Sequence, residues 1–374
     1  MIPFNKPYCT GNEWRYMEEA LRSGKISGDG LFTRKCHTFF EETFSFKKCL
    51  LTTSCTDALE MAAILLQIEE GDEVIMPAFT FVSTANAFVL RGARIVFADS
   101  RADQPNMDVA QLEALITPKT KAIVVVHYAG VACEMDEIMA LARAHKLAVV
   151  EDAAQAIDSY YKGRPLGSIG DLAAFSFHET KNIISGEGGM LVVNRDDLVQ
   201  RAEIVREKGT NRSRFFRGEV DKYGWVDIGS SYLPSDLIAA YLFAQLEQLP
   251  AIQQKRLAIW QRYHDRLKAF AGKGFSLPLL PEYATNNGHM FYLLFDSEAI
   301  RTQVIQALKH EGIHAVFHYL SLHKSVFYQD KHDGRVLLHS DRYMDTLLRL
   351  PFYYELQLEE VDQICDCILR SLHL

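Results

Sequence analysis

Residues 121–154, "KAIVVVHYAGVACEMDEIMALARAHKLAVVEDAA", decide the fold. "KAIVVVHY" is a short run of β-branched residues without alternation, the pattern of a strand covered on both faces. "EMDEIMALARAHK" then carries Met135, Ile138, Met139 and Ala142 at helical spacing. "LAVVEDAA" returns to the strand pattern and runs straight into two acids, Glu151 and Asp152. A strand, a helix and a second strand in this order imply a crossover connection and parallel pairing.

The same alternation extends in both directions. Before it stand "DALEMAAILLQI", "EVIMP", "TANAFVLRG", "RIVFAD" and "DVAQLEALI", and after it "DLAAFSF" and "GMLVVN" read as two further strands. The expected fold class is α/β: a large domain with a mainly parallel sheet covered by helices, plus a smaller C-terminal α+β domain. "DVAQLEALI", residues 108–116, is expected to be helical. Residues 235–270 form a long helical pattern interrupted by Pro250, where a kink or break is expected. "HMFYLLF", a helix near 299–311, "IHAVFHY" and a last helix from about 358 fill the smaller unit. The expected domains are 1–245, including an N-terminal segment, and 246–374.

With 374 residues, 48% of them hydrophobic, the chain can bury more than one core. Its net charge of −8 argues against nucleic acid as a partner. No run is long and apolar enough for a membrane span, and "MIPFNKPYCT" has no apolar signal core, so the expected location is cytoplasmic. The seven cysteines do not suggest a disulfide framework. Cys365 and Cys367 lack metal-ligand spacing, so no metal is expected.

Four stretches fall where such a sheet presents ligands, at strand ends and helix starts. "TTSCTDALEM" leads small and hydroxylated residues into a helix whose free N–H groups suit a phosphate, although alone it would be an ordinary N-cap. "LAVVEDAAQA" delivers a carboxylate that is either a cap or the counter-charge of a buried cation. "PAFTFVSTANA" places Phe79 and Phe81 after a strand. "FSFHETKNIISGEGG", residues 175–189, sets Lys181 between an apolar run and glycines that let the backbone come close. Together they describe a site for pyridoxal phosphate, which needs an amine for its aldehyde, a carboxylate against its ring nitrogen, a phosphate cradle and a flat apolar face. Lys181, Asp152, Cys55-Thr56-Asp57 and Phe81 supply one each.

From "IPFNKP" through "SGKISGDG", "LTTSCTDALEM", "VVHYAG", "VVEDAAQA" and "FSFHETKN" to "FHYLSLH", the chain resembles the sugar-nucleotide aminotransferases, a branch of the fold type I pyridoxal-phosphate enzymes. The resemblance makes Lys181 the Schiff-base lysine and catalytic acid–base, and Asp152 the partner of the ring nitrogen. It puts Gln155 near the phenolic oxygen, Ser176, Cys55 and Thr56 on the phosphate, Phe81 on the ring, and His178 close by. "VHYAGVACEMD", "FSFHETKN" and "REKGTNRSRFFRGEVDKY" carry a closer likeness to members that aminate C4 of TDP-4-keto-6-deoxy-D-glucose for the enterobacterial common antigen. That implies L-glutamate and a dTDP-keto-sugar as substrates, dTDP-4-amino-4,6-dideoxy-D-galactose as product, and a homodimer or higher homo-oligomer with shared sites. Where many members carry Asn and Arg in G-x-N-x-R, this chain has Ser231 and Leu233. The basic run 206–222, with Arg212 and Lys222, is either a solvated face or a diphosphate site. His318 and His323 are either core residues or, by the resemblance, at the substrate entrance. Amination at C3 by a close relative remains open. A sugar 3-dehydratase would have histidine in place of Lys181.

Overall fold

The computed structural model describes residues 1–374. Helices α1 (Glu13–Arg22) and α2 (Leu31–Phe44) precede β1 (Cys49–Thr52), α3 (Cys55–Leu65), β2 (Glu73–Pro77), α4 (Val82–Val89), β3 (Arg94–Ala98), β4 (Thr120–Val126), α5 (Met135–His145) and β5 (Ala148–Asp152). A small ribbon of β6 (Tyr160–Tyr161) and β7 (Arg164–Pro165) leads to β8 (Leu172–Ser176) and β9 (Gly189–Val193). Seven of these strands form one sheet in the order β1-β9-β8-β5-β4-β2-β3. All its pairings are parallel except the two made by β9.

Side chains along each strand alternate between two cores. Ile75, Ile123, Val125 and Phe175 pack on one face, and Val74, Val124, Val150 and Leu172 on the other. Burial on both faces is why these strands read as unbroken apolar runs.

After α6 (Asp196–Arg206), α7 (Arg212–Phe216) and α8 (Asp236–Leu246), the helix α9 (Leu249–Leu267) crosses to the second unit. Its sheet has the order β10-β11-β13-β12, built from β10 (Phe275–Ser276), β11 (Tyr292–Phe295), β12 (Val316–Phe317) and β13 (Leu347–Arg349). Helices α10 (Glu298–His310), α11 (Leu338–Thr346) and α12 (Leu358–Ser371) accompany it. A third core, including Tyr263, Phe291, Leu293, Val304 and Ile364, holds this unit together. Phe79, Tyr128, Tyr292 and Tyr343 share a smaller cluster in which residues just past the ends of β2 and β4 meet the second sheet and α11.

Two sequence expectations need correction. Residues 108–116 form two separate 3₁₀ turns, Val109–Gln111 and Glu113–Leu115, instead of a helix. Only Leu112 of that stretch is buried, and Thr117 before Pro118 is steered away from helical backbone, so neither packing nor geometry extends the turns. Pro250 kinks nothing: it sits in the first turn of α9, where the missing N–H costs no hydrogen bond, and the break falls before it, after Leu246. Within the N-terminal segment, Tyr16 and Ala20 of α1 and Phe32 and Cys36 of α2 pack in the large unit's core, whereas the first residues also reach the second unit. Ile2 donates to Gly312 O at 2.9 Å and accepts from His314 N at 3.0 Å, while its side chain enters the third core.

One glycine shows how closely the elements approach. A Cβ on Gly30 would lie 2.3 Å from Asp236 Cγ, because the Asp236 carboxylate reaches in from α8 to accept from Phe32 N and Thr33 N in the first turn of α2.

Candidate active site

The carboxyl ends of β1, β2, β4, β5 and β8 open on the same side of the sheet, the place where such folds hold ligands. Two adjacent acids end β5, and alternation sends them to opposite faces. Glu151 is saturated: it accepts from Gly167 N at 2.7 Å, Ile169 N at 2.8 Å and Gly170 N at 2.6 Å, and its Oε2 lies 2.9 Å from His127 Nε2. Burial works against its charge, yet the His127 bond and the backbone N–H groups hold its carboxyl below the usual range. Its role is to knit the loop after β7. Asp152 has only Thr84 Oγ1 at 2.7 Å and Ala154 N at 3.2 Å, and burial pushes its carboxyl up. A buried carboxylate with spare acceptor capacity is equipped to meet a cation.

Lys181 follows β8 in a turn closed by its own N–H donating to His178 O at 2.9 Å. Burial pushes its amine below the ordinary lysine value, opposed by the nearby Cys55 and Asp152. A lowered amine is more often neutral, hence a better nucleophile and base. Its neighbour Asn182 anchors the loop: Nδ2 donates to Asn287 O at 2.8 Å and Gln253 Oε1 at 2.9 Å, and Oδ1 lies 2.8 Å from His289 Nδ1. His289 is kept neutral chiefly by burial and then by Lys181. With Asn182 held on three sides, the Lys181 backbone has little freedom.

At the start of α3 the capping expectation holds as well: Ser54 Oγ accepts from Asp57 N at 3.1 Å. Capping and anion binding are compatible here, since the first-turn amides of Cys55 and Thr56 have no intrahelical acceptor. Thr56 Oγ1 donates to Ser83 Oγ at 2.8 Å, joining the starts of α3 and α4. A Cβ on Gly189 would lie 2.3 Å from the Ser54 carbonyl carbon, so only glycine lets β9 pass behind this turn. Ser176, half-buried at the end of β8, and His178, 3.0 Å from Thr180 Oγ1 through Nδ1, border the lysine turn.

Gln155 is fixed at both ends: Oε1 accepts from Ala129 N at 2.6 Å and Nε2 donates to Tyr319 OH at 3.0 Å. Tyr319 has φ +46, a strained conformation for a bulky residue. It stacks on His318, whose Nδ1 is 2.6 Å from Tyr128 OH. His318 is therefore part of the wall around Lys181, and burial holds its imidazole neutral. Phe79 is core, whereas Phe81 is 55% exposed at the start of α4, with its ring centroid 6.0 Å from that of Tyr319. Of the two aromatics Phe81 is the one free to receive a flat ring.

Other residues singled out above lie elsewhere. His323 is buried beside Phe97 and His332, with Nε2 3.3 Å from Asp341 Oδ1. The basic run 206–222 neutralises itself in part: Arg212 pairs with Glu207, Arg214 with Glu219, and Arg217 with Glu203 and Glu219. Arg206, Lys208, Arg212 and Arg217 border a cavity of about 590 Å³, joined by Lys25, Arg34, Lys48 and Ser231. Lys222 is exposed and outside that lining. Lys181 borders a different, far smaller cavity of about 20 Å³, with Asn182, Arg256 and Tyr354.

Sequence reasoning missed Thr84, Asn182 and Tyr319 as parts of this site. Each lies within or beside a stretch already singled out, but its partner is distant in sequence. The buried, half-satisfied Asp152, the depressed Lys181 amine, the open first turn of α3 and the free Phe81 face fit pyridoxal phosphate, one feature to each part of that molecule.

Residues 7–369 match the DegT/DnrJ/EryC1/StrS aminotransferase family. The chain is 33% identical to the spore coat polysaccharide biosynthesis protein SpsC of Bacillus subtilis, over 98% of this chain and 96% of that one. Among solved structures it is similar to Helicobacter pylori PseC, an aminotransferase involved in the biosynthesis of pseudoaminic acid, with 26% identity, a TM-score of 0.91 and coverage of 100% and 99%. It is similar too to the PLP form of Spr1654 from Streptococcus pneumoniae, with 27% identity, a TM-score of 0.90 and coverage of 100% and 98%.

Proposed function

The chain belongs to the DegT/DnrJ/EryC1/StrS aminotransferase family and is a pyridoxal-phosphate-dependent enzyme, and from that premise we propose that it transfers the amino group of L-glutamate to C4 of a nucleotide-linked 4-keto-6-deoxy sugar. The product in this reading is dTDP-4-amino-4,6-dideoxy-D-galactose, made in the cytoplasm for the enterobacterial common antigen. The observation that carries the reaction type is the placing of a depressed Lys181 amine, in the turn after β8, near a buried Asp152 at the end of the adjacent β5. Residues 206–222 and their likeness to C4-aminating members support the sugar.

When bound, pyridoxal phosphate supplies an aldehyde that accepts the amine and a ring that takes up the electron pair left by a departing α-proton. Asp152 would face the ring nitrogen and keep it protonated, with Thr84 and Ala154 N fixing the carboxylate. Gln155, held by Ala129 N and Tyr319, would orient the ring at its phenolic oxygen, and Cys55, Thr56 and Ser176 would hold the phosphate. Lys181 Nζ, once free, would take the α-proton of glutamate and return a proton to the sugar carbon.

The reading includes a homodimer or higher homo-oligomer with shared sites. Supporting it, Phe216 and Trp225 stand 69% and 83% exposed on the segment beside the large cavity. No helix is long and apolar enough to cross a membrane.

One panel tests the proposal: purified enzyme with glutamate and a set of nucleotide-linked keto-sugars, products resolved by NMR. New nitrogen at C4 in the galacto configuration supports it. Nitrogen at C3, or no turnover with any nucleotide-linked ketone, removes the substrate claim.

A further inference from the structure

His289 lies just before β11, where the second unit meets the Lys181 turn. Its main chain is fixed on both sides: His289 N donates to Asn287 Oδ1 at 3.0 Å, and His289 O accepts from Arg256 Nη2 at 2.8 Å. Asn287 in turn donates through Nδ2 to Gln155 O at 2.8 Å and Ile157 O at 2.9 Å, which ties this turn to the segment carrying Gln155.

The partners assign the imidazole hydrogen. Asn182 Nδ2 faces two acceptors, Asn287 O and Gln253 Oε1, the latter because Gln253 Nε2 itself donates to Asn287 O at 3.2 Å. Asn182 Oδ1 is thus the acceptor toward His289 Nδ1, 2.8 Å away, and Nδ1 carries the hydrogen. Nε2 is left as a lone pair. It makes no hydrogen bond within the protein, although the residue is only 7% exposed. A buried acceptor without a donor is unusual and points to a group that arrives.

His318 provides the contrast. Tyr128 OH, 2.6 Å from His318 Nδ1, has no other acceptor, so it donates there and the His318 hydrogen is on Nε2. Of the two imidazoles around Lys181, one therefore offers a donor and the other an acceptor. The charged groups that act on His289 are Lys181, Arg256 and Arg349, all cations, with the neutral His318 near them. Burial and these cations oppose a second proton on the ring, and no carboxylate is among them.

Lys181 has the complementary lack. Its Nζ makes no hydrogen bond or ion pair, and the groups that favour its charge are Cys55 and Asp152, which line the place assigned to the cofactor. A bound cofactor takes up that place, so an amine released from it has to withdraw toward some other acceptor. Asn182, the next residue in the chain, already bonds the His289 ring, which puts that ring beside the lysine turn.

We propose that His289 is the positioning residue of the acid–base lysine: with the cofactor bound and Lys181 free, His289 Nε2 accepts a hydrogen bond from Nζ and holds the amine at the carbon whose proton it moves. This rests on the reading that Lys181 is the Schiff-base and proton-shuttling lysine. An imidazole suits the task better than a carboxylate. An anion would keep the ammonium protonated, whereas a neutral acceptor orients Nζ and leaves its proton transferable.

The test uses the holoenzyme and two variants. His289→Asn keeps a donor at the Nδ1 position, for Asn182, and offers nothing at the Nε2 position. His289→Gln carries an amide oxygen out to the Nε2 position and loses the bond to Asn182. Each half-reaction is followed by single-turnover absorbance, the first with protiated and α-deuterated glutamate. His289→Asn should slow both half-reactions about tenfold and raise the isotope effect, with the half-saturating glutamate concentration within about twofold of wild type. His289→Gln should recover most of the rate. If His289 only holds the Asn182 loop, the order reverses, and the proposal falls. Equal rates in the two variants, fast or slow, or an unchanged isotope effect would overturn it as well.

A second readout does not depend on turnover. In 15N-histidine spectra of the enzyme loaded with pyridoxamine phosphate, the His289 ring, identified by its loss in His289→Asn, should be neutral with its hydrogen on Nδ1 from about pH 5 to 8. Its Nε2 signal should move in Lys181→Ala. A charged ring, or an Nε2 signal indifferent to Lys181→Ala, would overturn the assignment. Borohydride mapping of wild type separates the two readings: an adduct on another lysine removes the premise, whereas an adduct on Lys181 leaves the variants to decide on His289 alone.

Discussion

Two regions of this molecule concentrate charge, and they do so in opposite ways. At the end of β5 and in the turn after β8, Asp152 and Lys181 are few and shielded, Asp152 held by Thr84 and Ala154 N and Lys181 through the backbone of its turn. Around the 590 Å³ cavity, cations are many and, Arg206 apart, at least partly exposed, with Arg212 paired to Glu207 and Arg217 to Glu203 and Glu219. Burial shifts the ionisation of Asp152 and Lys181 but leaves the exposed arginines to water and salt. The first arrangement is suited to chemistry, in which one proton must be held at one atom. The second is suited to catching an anion whose position is set by its other end.

The largest effect expected is at the first region. Lys181→Ala should fold and retain no turnover above background, because no second lysine stands beside Asp152. Borohydride reduction followed by peptide mapping checks it, and an adduct on any other lysine in wild type would sink the assignment.

Asp152→Asn comes next, with both half-reactions slowed on the order of 10²- to 10³-fold while cofactor remains bound. The cofactor-free protein should respond with the opposite sign in stability. Because the folded carboxyl is raised, its charged form is disfavoured by folding, a penalty absent below the unfolded value and present once pH exceeds the folded one. The asparagine variant should therefore melt higher than wild type at neutral pH, and this advantage should vanish in acid. Wild-type single-turnover rates in the variant would make Asp152 a structural residue.

Thr84→Val removes one bond to that carboxylate, and about a tenfold loss in kcat is expected. The Thr84 bond favours the charged form, so its loss raises the carboxyl further and moves the acidic limb of the pH–rate profile to higher pH. A limb that stays in place would show that Thr84 does not tune Asp152.

At the second region the effects should be small and salt-dependent. Arg212→Ala should raise the KM for the nucleotide sugar by no more than about tenfold, Lys222→Ala by less, and neither should alter glutamate deamination. Measuring both at low and high ionic strength sharpens the comparison: an effect that persists at high salt would place the charge in a shielded contact like those at Asp152.

How much of this was legible in sequence follows from the range of the interactions. The parallel sheet, the lysine, the Asp152 strand end and the α3 turn each leave a local pattern, because periodicity, capping and glycine requirements act over a few residues. Asp152 was named from sequence, but the physical ground for it over Glu151 leaves no such pattern, since it depends on which acid the loop at 167–170 saturates. The helix expected at 108–116 failed for the related reason that local pattern without a packing surface gives only turns.

By itself, then, the sequence determined the fold class and the cofactor chemistry, and it nominated Lys181 as the Schiff-base lysine. Tertiary structure alone decided the rest. It set Thr84 on Asp152 across 68 residues and Tyr319 on Gln155 across 164, and moved His323 to a cluster with Asp341. The physical reason is that hydrogen-bond satisfaction and burial are properties of a neighbourhood in space, assembled from both sheets at once, and no single stretch of chain records them.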